Sequence, residues 1–176
     1  MIKTISVVLA FFVISAHAED ISQCKEGWSK SISGEYKESL HLFNECIENG
    51  NLSNASLART YRNIGITLKN YGQYTKAIES YNKALSLNPS DPWDDYVNRG
   101  NAWSEAGNFT KAFEDYDKAL EIKPDYNEVY YNRGIVFEKK NDYEKAIIEF
   151  KHAYKLGLRT QLLYERFVAH KITSVE

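Results

Sequence analysis

Tyr96-Val97-Asn98-Arg99-Gly100-Asn101-Ala102-Trp103 decides how this 176-residue chain folds, because its pattern occurs three times. Tyr96, Arg99, Gly100 and Trp103 have counterparts upstream in Tyr61, Ile64, Gly65 and Leu68, and downstream in Tyr130, Arg133, Gly134 and Phe137. Each octet is followed at constant offset by an aromatic and two alanines: Tyr74, Ala77 and Ala84, then Phe109, Ala112 and Ala119, then Tyr143, Ala146 and Ala153. Gly65 to Gly100 is 35 residues, Gly100 to Gly134 is 34, and the alanine columns step by the same amounts. Columns held in phase at one period mark an internal repeat, in which each unit must bury its apolar face against the next.

Within each unit the apolar residues recur at helical spacing, and the units break at Gly72, Gly107 and Asn141, residue types that tolerate left-handed backbone. Each unit therefore reads as a helical hairpin. Gly65 on the first helix and Ala77 and Ala84 on the second let the two backbones approach closely, with Tyr74 and Tyr81 filling the space between turns. Pro89 and Pro124 end the second helices, and Asp91 is expected to cap the next helix, with Pro92 in its first turn.

The pattern resembles the tetratricopeptide repeat from Ala58 to about Leu158. That resemblance implies an all-α fold, a right-handed α-solenoid of antiparallel helix hairpins whose first helices line a concave peptide-binding groove. The function it implies is a scaffold or adaptor for another polypeptide. Two departures stand out: Leu158 occupies the place of a third proline, and Arg99 and Arg133 replace the usual aliphatic before the glycine. Sixteen residues beyond each of these arginines lies an acid, Asp115 or Glu149, whereas Ile64 is followed at that distance by Ser80. The expectation is that each arginine lays its stem in the core and pairs with an acid of its own or the adjoining unit. The competing reading points both arginines into the groove.

Outside the repeats, residues 1–18 read as an export signal: Lys3, an apolar run from Ile5 to Ile14, and the small-residue ending Ala16-His17-Ala18, with cleavage after Ala18. A short uncleaved anchor is the alternative. Loss of Lys3 leaves 21 basic and 24 acidic side chains, and no sustained basic face to hold phosphates, so nucleic acid is not the expected partner. No later stretch approaches the roughly 20 apolar residues of a membrane helix, so no stable insertion is expected. An export signal, two cysteines ahead of the repeats and Tyr-x-Asn-Arg-Gly units together resemble small tetratricopeptide proteins of the bacterial envelope, which implies the periplasm or the exterior. Cys24 and Cys46 are the only cysteines, and in an oxidising compartment a disulfide is their default state. A metal site is the weaker reading, since two thiols leave a tetrahedral site unfilled.

Residues 19–57 form a degenerate N-terminal hairpin in this reading. Gly27, Tyr36, Ser39, Phe43 and Cys46 match Gly65, Tyr74, Ala77, Tyr81 and Ala84 at a constant shift of 38. Strict phasing places Cys24 near the groove edge, yet a Cys24–Cys46 bridge would still tie the two helices of a terminal unit that lacks one neighbour. Repeats then occupy 58–91, 92–126 and 127–160. A capping helix and tail fill 161–176, with the helix at Gln161 to Ile172 turning Leu162, Leu163 and Phe167 inward.

The face of each first helix opposite its core follows from about 100° per residue. The peptide-binding residues expected there are Arg59, Arg62, Asn63 and Ile66, then Val97, Asn98 and Asn101, then Tyr131, Asn132 and Ile135. Asn63, Asn98 and Asn132 recur in register, and an amide offers the donor and acceptor that an extended backbone needs. Their alternative role is bonding to a neighbouring repeat. A carboxylate clamp of the kind some relatives carry would draw on Arg62, Asn98 and Asn132, but Glu128 falls where such a clamp wants a cation. The groove is basic near Arg59 and Arg62 and acidic toward Asp94, Glu105 and Glu128. An enzyme is not expected, and no cofactor: His41, His152 and His170 lack a Ser, Cys or carboxylate constellation at catalytic spacing. Rival functions are a secreted effector that uses the groove on an external partner, and a structural subunit of a homo-oligomer.

Overall fold

The computed structural model describes residues 22–49 and 51–171, and all their regular structure is helical. The export signal, its cleavage point and Ile172 lie outside the described residues. Helix α1 covers residues 22–32. It is followed by α2 (Tyr36–Glu48), α3 (Asn54–Asn70), α4 (Tyr74–Ser86), α5 (Pro92–Glu105), α6 (Phe109–Ile122), α7 (Asn127–Lys139), α8 (Tyr143–Lys155) and α9 (Gln161–Ala169). These are the antiparallel hairpins of the α-solenoid class. They fall into two compact units that divide after Ser90.

Local chemistry sets the helix ends. Ser53, Asn108, Asp142 and Thr160 accept backbone N–H bonds at the starts of α3, α6, α8 and α9. Pro92 sits in the first turn of α5, but the Asp91 side chain makes no capping bond to it, contrary to expectation. The breaks at Gly72, Gly107 and Asn141 adopt φ of 79°, 80° and 59°, the left-handed conformation anticipated for them.

In the first unit, Ala77, Tyr81 and Ala84 of α4 are wholly buried against α3. The small-residue argument holds in detail, since a Cβ on Gly65 would stand 2.6 Å from the Tyr81 ring. The degenerate hairpin repeats this contact more loosely, with Gly27 facing Phe43 at 3.1 Å for the same added atom. A disulfide joins Cys24 to Cys46, with Cα atoms 5.5 Å apart. Cys24 Sγ also lies 3.3 Å from the Thr60 hydroxyl on α3, so the bridge touches the next hairpin as well.

In the second unit, Ala112, Tyr116 and Ala119 pack with Val97, Val129 and Val136, and Ala146, Phe150 and Ala153 pack with Leu158, Leu163 and Phe167. Leu158, standing where a proline was absent, thus joins the core under α9. Leu162 does not face inward as expected: it is 58 % exposed, because Leu163 and Phe167, four apart, fill the available stripe. Glu138 of α7 fixes the far end of α9, pairing with Arg166 at 3.1 Å and with His170 Nε2 at 2.5 Å.

Both arginine pairings form. Arg99 donates Nε and Nη2 to the two carboxylate oxygens of Asp115, each at 2.7 Å. Arg133 lies 3.0 Å from Glu149 on its own hairpin and 3.0 Å from Asp117 of the preceding one. Burial pushes the Glu149 carboxyl above its ordinary range and Asp117 adds to the rise, while Arg133 opposes it. Neither arginine is directed at the first-helix face as the competing reading required.

Candidate functional site

The first unit gathers part of the expected site into a recess between α1 and α3. Arg59 and Asn63 of α3 line it, together with Cys24, Lys25, Trp28, Leu52, Ser56 and Thr60, around a volume of about 280 Å³. Thr60 donates its hydroxyl to the Ser56 carbonyl at 2.9 Å, a bond within α3. Arg62 and Ile66 are half-buried on α3 and do not line this recess. Lys25, Trp28, Leu52, Ser56 and Thr60 were missed by the sequence reading. The signal was present for two of them, because the shift of 38 carries Asn63 and Ile66 back onto Lys25 and Trp28.

A second hollow of the first unit, about 500 Å³, opens beside α2 and α4 and is lined by Ile64 and Ser80 among others. In the second unit these two repeat positions hold Arg99 with Asp115 and Arg133 with Glu149, so the hollow occurs where the repeat lacks its ion pair.

In the second unit, Val97 corrects the expectation: it is 5 % exposed and belongs to the core with Val129 and Val136. The reason is that α7 packs beside α5, covering the edge of α5 that a single helix would leave open. Tyr131 and Ile135 are half-buried and rest on the Phe150 cluster, with the rings of Tyr131 and Phe150 5.6 Å apart. Asn98 and Asn101 are half-buried one helical turn apart on α5. The Asn98 amide donates to the Asp94 carbonyl at 2.9 Å and to its carboxylate at 3.2 Å, which leaves the Asn98 oxygen as an acceptor. Asn101 has the opposite arrangement. Its oxygen accepts from the Tyr116 hydroxyl at 2.7 Å, leaving its N–H groups to donate. Burial first, then Glu105 and Asp115, push the Tyr116 phenol well above its ordinary range, so it stays a donor. Asn132 on α7 is half-buried. Lys139 bridges from α7 to Glu105 of α5 at 2.8 Å, so the Glu105 charge assigned to the groove is neutralised within the unit.

Among the described residues, no group of three His, Cys, Asp or Glu side chains could hold a metal ion, and no helix is long and apolar enough to cross a membrane. His152 is stacked on Tyr130 with ring centroids 4.0 Å apart, and His41 lies 3.3 Å from Glu45 on its own helix.

Three models of one repeat family match the sequence: tetratricopeptide repeat at residues 58–91, TPR repeat at 100–141 and tetratricopeptide repeat at 128–156. Among solved structures, the chain resembles MamA at 23 % identity and TM-score 0.66, over 78 % of this chain and 77 % of that one. YrrB, described as a TPR protein with an unusual peptide-binding site, shares 20 % identity at TM-score 0.67, over 83 % of this chain and 71 % of its own. The TPR domain of Arabidopsis OM64 shares 25 % identity at TM-score 0.61, over 68 % of this chain and 98 % of that domain. No curated protein matches the sequence.

Proposed function

Because this chain belongs to the tetratricopeptide repeat family, and is on that ground a protein-interaction scaffold, we propose that it binds an extended peptide segment of a partner on the first-helix faces of its hairpins. The observation that carries this reading is the pair Asn98 and Asn101. One presents a free carbonyl oxygen and the other free amide N–H groups, each fixed by an internal bond on its other side. A peptide backbone offers N–H and C=O in the same way, so such a pair can hold a chain without reading its side chains. In the second unit Tyr131, Asn132 and Ile135 add to that contact surface, and the first unit offers its own in Arg59, Arg62, Asn63 and Ile66. Val97, being core, belongs to neither.

The proposed location is the bacterial periplasm. The leader-like residues 1–18 support it, as does the Cys24–Cys46 bond, since structural disulfides persist in oxidising compartments. Fractionation of the producing cell tests the location, and recovery of uncleaved chain from the cytoplasm would remove it. The peptide reading is tested by capturing partners with the mature chain and with the combined variant Asn63→Ala, Asn98→Ala and Asn132→Ala. An unchanged set of captured proteins would move binding away from the first-helix faces.

A further inference from the structure

We infer that the recess between α1 and α3 is the anchoring subsite of this scaffold, and that it receives an apolar side chain of the partner peptide flanked by carboxylates. The inference rests on the peptide-binding reading and specifies the chemistry of the segment that the first unit holds.

Size narrows the occupant first. Sites for small molecules and cofactors run to about 300–1,000 Å³. The recess is about 280 Å³ and opens at the surface, which suits one side chain better than a free ligand. The walls narrow it further. Trp28 is 37 % exposed, and it lines the recess with Leu52 and Cys24, so an apolar group entering here would cover aromatic, aliphatic and sulfur surface together.

The rim has one sign of charge. Lys25 and Arg59 both line the recess and both are exposed, and among the described residues no carboxylate lines it with them. Some cations elsewhere do have a carboxylate partner within the fold, as Lys30 has Glu35, Lys139 has Glu105 and Arg166 has Glu138. The complementary partner is therefore acidic on either side of its apolar residue. Exposed pairs of this kind contribute about 0.2–1 kcal/mol each, so they orient the segment more than they hold it.

The site is also held in shape beforehand. The Cys24–Cys46 bond fixes α1 to α2, and Cys24 rests 3.3 Å from Thr60 on α3, so the wall is tied from two sides. A wall that need not be ordered on binding lowers the cost of association.

The test is a nuclear magnetic resonance titration of the ¹⁵N-labelled mature chain, with the disulfide intact. The probe is a peptide capped at both ends with Asp-Leu-Asp at its centre in a Ser-Gly background. Asp-Ser-Asp and Lys-Leu-Lys versions are the controls. The Trp28 indole resonance, assigned by its loss in Trp28→Phe, and the Asn63 amide are expected to shift saturably with Asp-Leu-Asp, with at least fivefold weaker binding of either control. Lys25→Ala combined with Arg59→Ala should weaken the probe about fivefold while leaving the melting temperature unchanged, since both side chains are exposed. Equal binding of Lys-Leu-Lys, or an immobile Trp28 signal, would overturn the subsite. If Trp28 stays fixed while Asn98, Asn101 and Asn132 move, the subsite fails but the peptide reading survives. If Asp-Leu-Asp moves none of these resonances, the subsite fails, and the triple asparagine capture experiment then decides the peptide reading separately.

Discussion

Gly65 lies so close beneath the ring of Tyr81 that a methyl group there would stand 2.6 Å from Cε1. Alanine is favoured over glycine in a helix interior by about 1 kcal/mol, but overpacking a tight contact costs about 1–3 kcal/mol. The ring is wholly buried and has no room to retreat, so the clash wins. Gly65→Ala is expected to lower stability by about 1–2 kcal/mol in urea unfolding, and adding Tyr81→Leu should recover part of the loss. At Gly27 the nearest Phe43 atom would be 3.1 Å away, a gap that a small ring shift can open. Gly27→Ala should therefore be close to neutral, and a loss equal to that of Gly65→Ala would contradict the looser packing of the first hairpin.

The two arginine pairs should respond differently to neutralisation. Asp115 is 3 % exposed and is the bidentate partner of Arg99, so Asp115→Asn should cost about 3 kcal/mol by weakening both charge-assisted bonds to a partly buried guanidinium. Arg133 keeps Asp117 when Glu149 is neutralised, so Glu149→Gln should cost much less.

The same glutamate sets a pH dependence. Its folded pKa is raised above the ordinary 4.5, so the folded chain binds this proton more tightly than the unfolded chain does. Its contribution is fully present below that value and is lost as pH rises through the elevated one. Urea midpoints measured from pH 4 to 8, a span set about the ordinary glutamate value, should show Glu149→Gln gaining on the wild type as pH increases. A gap that stays constant with pH would refute the assignment.

The Cys24–Cys46 bond closes a loop of 22 residues, for which chain entropy gives about 3 kcal/mol. Reduction, or replacement of both cysteines by serine, should lower the melting temperature of the first unit. Amide exchange in α5 to α8 should change little, since those helices form the other compact unit. Identical melting under oxidising and reducing conditions would mean that the bond contributes no stability.

At the last helix, Leu163 is wholly buried and Leu162 is 58 % exposed. Leu163→Ala should cost about 2–4 kcal/mol by opening a cavity against Phe150 and Phe167. Leu162→Ser should fall within about 0.5 kcal/mol of the wild type. Denaturant midpoints distinguish the two, and a reversed order would put α9 in a different rotation about its axis.

Sequence alone determined the hairpins, their turns and their partners across each pair. Those features rest on short-range rules: helical period, left-handed Gly and Asn, and a small residue sixteen positions ahead of each buried ring. The Arg99 and Arg133 pairings were legible for the same reason, because arginine and acid lie at one constant offset within a hairpin. Tertiary structure alone decided what lies between hairpins. Val97 reads as surface on an isolated α5 and becomes core once α7 packs beside it. Leu162 reads as core by composition and is left outside because Leu163 and Phe167 already fill the stripe. The recess at Trp28 exists because α1, α3 and Leu52 meet, and no single helix contains that meeting. Neighbour packing is a relation between distant segments, so one segment's pattern cannot specify which of its edges another will cover.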